Sequence, residues 1–189
     1  MSVFANFLIF QAGWFATVLG AANGAPWLGP IAVLVAVVLH LWTTNDAAAE
    51  LRLLGSAVAL GLVADSLLLA TGWIAYPNGS WVPGLAPYWI VTLWALFATT
   101  LNVSMRWMAG RYLLAALFGA IGGPLSYLAG ARLGAMTFVD TGSAVTALAI
   151  GWGLAMPLLM WLAARFEQRG RTQRPAFIKD SWREAKDNA

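Results

Sequence analysis

The sequence predicts an all-α fold: a polytopic transmembrane helical bundle of about six spans, with both termini on the cytoplasmic side. Three observations predict it. The 189 residues are 60% hydrophobic and only 10% charged, whereas a soluble domain carries about 25% charge, and the mean hydropathy is +0.72. Apolar runs near the roughly 20 residues needed to cross a bilayer recur between helix breakers. Threaded in alternating directions, the runs bring nearly all Arg and Lys to one side, which the positive-inside rule makes cytoplasmic. This excludes a soluble enzyme, a disordered regulator and a nucleic-acid-binding domain. The length also excludes a large transporter.

The segments run near Phe4–Ala22, Pro26–Thr43, Leu51–Trp73, Pro87–Met105, Tyr112–Leu133 and Ser143–Ala164. Asn23-Gly24-Ala25-Pro26 supplies a tight hairpin between the first two. Asn45-Asp46 opens a short polar connection, and Pro77-Asn78-Gly79-Ser80 with Pro83-Gly84 builds a longer loop. Gly110 marks the next turn. With the N-terminus inside, Arg52, Arg106, Arg111 and the basic tail are cytoplasmic, and only Arg132 is at the outer face. Trp27, Trp73, Tyr76, Trp81, Tyr88 and Trp89 form the outer aromatic belt. Trp42, Trp107 and Trp161 form the inner one. The first run lacks a preceding Lys or Arg, so it is expected to stay as a span rather than be cleaved as a signal.

Residues 1–164 therefore make the bundle, and 165–189 a basic tail. The net charge of +3 resides wholly in that tail, beside anionic lipid. Pro175–Ala189 fits a short amphipathic helix on the inner leaflet as well as it fits a solvated tail. With no cysteine there is no disulfide or thiolate chemistry, and His40 alone is too little for a zinc site. No metal or cofactor is expected, and no nucleic-acid partner.

An ionisable residue inside a span is costly and marks a candidate site. At 1.5 Å rise per residue, Asp65 lies roughly 21 Å from Leu51, past the midplane. Thr17, Ser126 and Tyr127 reach the same level, so with Asp65 and Ser66 they predict one polar layer. Pro124, after Gly122-Gly123, frees a carbonyl beside it. Asp65 is expected to face inward and share a pocket with at least one of Thr17, Ser126 and Tyr127. A second layer nearer the cytoplasm holds Gln11, His40, Thr99 and Asn102. Each residue also has a structural alternative, above all interhelical hydrogen bonding for Gln11 and Asn102. Small residues recur every fourth position at Ala12-Ala16-Gly20, Ala57-Gly61 and Ala115-Gly119-Gly123, which predicts close helix approach. Arg132 and Asp140, at the ends of one outer loop, are expected to lie together.

Several strings, taken together, resemble DUF2878, an uncharacterised bacterial inner-membrane family. They are Phe10-Gln11-Ala12-Gly13-Trp14-Phe15, Pro26-Trp27-Leu28-Gly29-Pro30, Leu39-His40, Asp65-Ser66-Leu67-Leu68, Leu93–Asn102 and Gly122–Gly130. The chain departs from the family pattern at Val103, where His is frequent. The resemblance implies a Gram-negative inner-membrane location. Such genes often neighbour those of cyclopropane-fatty-acid synthase-like enzymes, which implies handling or modification of membrane lipids. The expected partners are membrane lipid and, as another reading, a second membrane protein stabilised through small-residue faces. A small-solute carrier is the remaining alternative, since midplane polar residues beside a Gly-Pro break suit one.

Overall fold

A computed structural model describes residues 1–173, with side chains through residue 168. Six α-helices make up most of it: α1 Val3–Ala22, α2 Leu28–Thr43, α3 Ala47–Ala70, α4 Tyr88–Leu101, α5 Tyr112–Arg132 and α6 Thr141–Gln173. Four of them, α1, α3, α5 and α6, are long and apolar enough to cross a membrane. The chain is a helical membrane-protein bundle.

The other two helices are shorter than the sequence suggests. α2 has 16 residues and α4 has 14, roughly 24 and 21 Å at 1.5 Å per residue. α4 can be short because it is the centre of the bundle, packed on α1, α2, α3 and α6. Non-helical backbone is tolerated at membrane depth when protein surrounds it. Its C-terminal end shows how. The Asn6 side chain, 1% exposed, donates to the Thr99 carbonyl at 3.1 Å and accepts from the Ser104 hydroxyl at 2.7 Å. The chain therefore leaves the helix after Leu101 and does not continue to Met105.

A feature absent from the sequence reading ties the other end. Ile74–Ala75 (β1) pairs antiparallel with Thr137–Phe138 (β2), joining the α3–α4 and α5–α6 connections. Asn78 Nδ2 donates to the Ala21 carbonyl at 2.9 Å and links the same loop to the α1–α2 turn. These connections make up the ribbon end. Arg52, Arg106 and Arg111 lie at the opposite, arginine end.

Helix α6 runs past Ala164, the tail boundary read from sequence. Phe166 packs against the core, and Glu167 pairs with Arg106 at 2.9 Å. The amphipathic stretch read at Pro175–Ala189 lies outside the described residues. Arg132 and Asp140 form no ion pair. Asp140 caps α6 instead, accepting from the Ser143 hydroxyl at 2.6 Å and its amide at 3.1 Å. Those bonds hold the Asp140 carboxyl below its ordinary value of 3.8.

Candidate functional site

Glycines position the central carboxylate. A Cβ on Gly61 would fall inside the Trp94 ring, so α3 accepts that indole flat against its backbone. Trp94 stacks on Trp152 at 4.5 Å and 11°. Trp152 in turn lies against Gly123, where a Cβ would also collide with it. Two indoles thus fill the bundle between α3 and α5. Asp65 is one turn beyond Gly61 and Tyr127 one turn beyond Gly123, on the same helix faces. Asp65 is 1% exposed. It accepts from Trp94 Nε1 at 2.8 Å and from the Tyr127 hydroxyl. The buried Tyr76 hydroxyl, without a hydrogen-bond partner among the described residues, is within electrostatic reach of both Asp65 and Tyr127.

Beside this cluster the bundle is open. α1 packs on α2 and α4, and α5 packs on α6, but α1 and α5 stay apart along most of their length. The gap is a cleft of about 410 Å3, floored by Phe97 and Trp152. Phe7, Phe118 and Leu125 line it and are 49%, 42% and 59% exposed, so its rim is apolar and open to the bundle's outer surface. Gln11 faces the cleft, and its side-chain amide makes no hydrogen bond with another described residue. Trp14 Nε1 donates to Ser126 Oγ at 3.2 Å across the gap. Both residues also line a smaller cavity of about 60 Å3, which extends the cleft toward the ribbon end and is walled by Trp94 and Tyr127. The cleft therefore leads to the two donors that hold Asp65.

The sequence-predicted residues separate into three groups. Asp65 and Tyr127 meet directly, while Ser126, next in the chain to Tyr127, faces the cleft. His40 and Asn102 are joined through a residue that the depth argument missed, Glu50. His40 Nε2 lies 2.9 Å from Glu50 Oε2, and Asn102 Nδ2 donates to Glu50 Oε1 at 2.8 Å. Thr17, Thr99 and Gln11 join neither cluster. Thr17 bonds the Gly13 carbonyl in its own helix and packs on Gly29 of α2. Thr99 bonds the Leu96 carbonyl. Ser66 accepts from the Ala86 amide at 2.9 Å and anchors the long loop.

Trp94, Trp152 and Asn6 were also missed, because they carry no charge to mark them inside a span. Asn45-Asp46 did carry a signal for Glu50. Asp46 caps α3, accepting from the Ala49 amide at 2.9 Å, so the helix starts at Ala47 and already includes Glu50. Among the described residues no group of His, Asp and Glu forms a metal constellation.

The sequence profile of a family described as "protein of unknown function (DUF2878)" matches residues 3–158. No curated protein matches the chain, and no solved structure does.

Proposed function

The chain belongs to the DUF2878 family of proteins of unknown function; we propose that it is a bacterial inner-membrane protein, as the family resemblance implies, and, from its geometry, that it takes a lipid acyl chain sideways from the bilayer. The lateral cleft between α1 and α5 carries this reading. Its walls are apolar and aromatic, its size falls in the roughly 300–1,000 Å3 range of ligand pockets, and its rim is apolar. A mouth facing hydrocarbon selects an apolar chain over a water-soluble solute. Gln11 offers an amide donor and acceptor to an ester or hydroxyl beside that chain. Asp65 acts here as a positioning residue. It fixes Trp94 and Tyr127 as the wall at the inner limit of the cleft. Arg52, Arg106 and Arg111 at one end support an orientation with both termini cytoplasmic.

A phospholipid bearing a diazirine at mid-chain tests this in bilayers. After illumination, the label is expected on peptides containing Gln11, Phe97 and Ser126. Label confined to outward-facing residues such as Ile150 and Leu154 would refute it.

A further inference from the structure

Most polar side chains along the lateral cleft have already spent their donors. Thr100 donates to the Phe97 carbonyl at 2.6 Å, and Ser104 donates to Asn6 Oδ1 at 2.7 Å. Trp14 Nε1 donates to Ser126 Oγ at 3.2 Å. Two groups are left over, and both are half-buried. The Ser126 hydroxyl accepts that indole proton but donates its own to no described residue. The Gln11 amide, on the facing wall, keeps its donors and its acceptor unspent among the described residues. Gln11 and Trp14 are three residues apart and share a face of α1. Ser126 therefore stands opposite the turn of α1 that follows Gln11.

Depth decides what can meet them. α1 has 20 residues and spans about 30 Å, the thickness of the hydrocarbon core. Gln11 lies roughly 12 Å along it from Val3 and Trp14 roughly 17 Å, one on each side of its middle. Bulk water does not reach that level of a bilayer, and leaving an amide and a hydroxyl bare there is costly. The ester and headgroup of an upright phospholipid in either leaflet lie at the edge of the core, about 15 Å away. The acyl chain itself does reach the level. A plain methylene chain offers no hydrogen bond. A hydroxyl on the chain offers both halves of the match, accepting from the Ser126 hydroxyl and donating to Gln11 Oε1. On the footing that the cleft holds an acyl chain, we propose that the chain it selects carries a hydroxyl in its distal half, held between Gln11 and Ser126.

Native mass spectrometry of the full chain, given an equal mixture of two phosphatidylcholines, reads the choice by mass. One lipid carries stearoyl chains and the other 12-hydroxystearoyl chains, whose oxygen lies in the distal half. After activation that strips annular lipids, the wild type is expected to retain the hydroxylated lipid about tenfold over the plain one, the effect of two hydrogen bonds of ordinary net strength. A lipid with 2-hydroxystearoyl chains, whose oxygen stays beside the ester, is expected to gain no preference over stearoyl. Gln11→Leu takes an unpaired amide off an apolar wall, so the fold is kept, and the 12-hydroxystearoyl preference is expected to fall to about threefold. The hydroxyl assignment is overturned by a wild-type ratio near one, by an equal preference for the 2-hydroxystearoyl lipid, or by an unchanged ratio in Gln11→Leu. Retention of both lipids at a ratio near one overturns it while leaving the cleft as an acyl-chain site. Retention of neither overturns both.

Discussion

Asp65 accepts hydrogen bonds from donors on two other helices, Trp94 on α4 and Tyr127 on α5. Asp65→Leu strands both donors in an apolar interior, at about 1–3 kcal/mol for each. Asp65→Asn keeps one acceptor oxygen and turns an NH2 toward the other donor, so its loss is about half as large. Thermal unfolding in detergent is expected to rank the chains as wild type, then Asn, then Leu. An Asp65→Leu protein as stable as wild type would show that the cluster contributes nothing. Asp140 gives a pH-dependent counterpart. Its folded value is lowered by the Ser143 bonds, so its contribution is present above its ordinary value and is lost as the pH falls through the folded one. Asp140→Asn is therefore expected to lower the unfolding temperature at neutral pH, with the gap to wild type closing below pH 3.8. At this scale depth was legible and azimuth was not. Asp65 and Tyr127 could be matched because rise per residue is constant along a helix. Thr17 reaches the same level but faces α2, and no single-helix count reveals that. Glu50 was lost through a start point placed four residues late, at Leu51 instead of Ala47.

Helix contacts are set by where backbone can approach. The ladder expected at Ala12-Ala16-Gly20 is only partly used. α1 instead presents Gly13 to Leu96, Thr17 to Gly29 and Gly20 to Leu28. On α5 the predicted Gly119 and Gly123 do meet α6, at Met156 and Trp152. The spacing was legible because small residues every fourth position share a face; the partner helix was not. Gly61→Ala drives a methyl into the Trp94 ring and is expected to cost about 1–3 kcal/mol through overpacking, with a changed near-ultraviolet tryptophan signal. Gly122 differs from its neighbours. A Cβ there meets only Phe118, at 3.9 Å, because Gly122 lines the open cleft. Gly122→Leu is expected to fold with near wild-type stability, and a loss as large as that of Gly61→Ala would show that the cleft is closed in solution. The short length of α4 escaped the sequence because no Pro or Gly follows Leu101 before Gly110; in the structure the Asn6 side chain from α1 takes the Thr99 carbonyl and the Ser104 hydroxyl at its end.

At the scale of the molecule, six antiparallel helices bring the α1–α2, α3–α4 and α5–α6 connections to the ribbon end. Reporter fusions after Ala189 and within the 78–83 loop are expected to read cytoplasmic and exported, respectively, from the Arg asymmetry. The opposite pair would invert the orientation. Hydropathy made the bundle legible. The cleft was not legible, because it arises from a contact that α1 and α5 do not make along most of their length, and a missing contact leaves no periodic signal in either helix. The central claim is that this opening holds a lipid chain. Native mass spectrometry of gently solubilised protein, comparing wild type with Gly122→Trp, tests it most directly. The wild type is expected to retain one lipid through gas-phase activation that strips the annular lipids, and Gly122→Trp, with an indole filling the cleft, is expected to lose it while remaining folded. Equal lipid retention by the two folded proteins would contradict the claim.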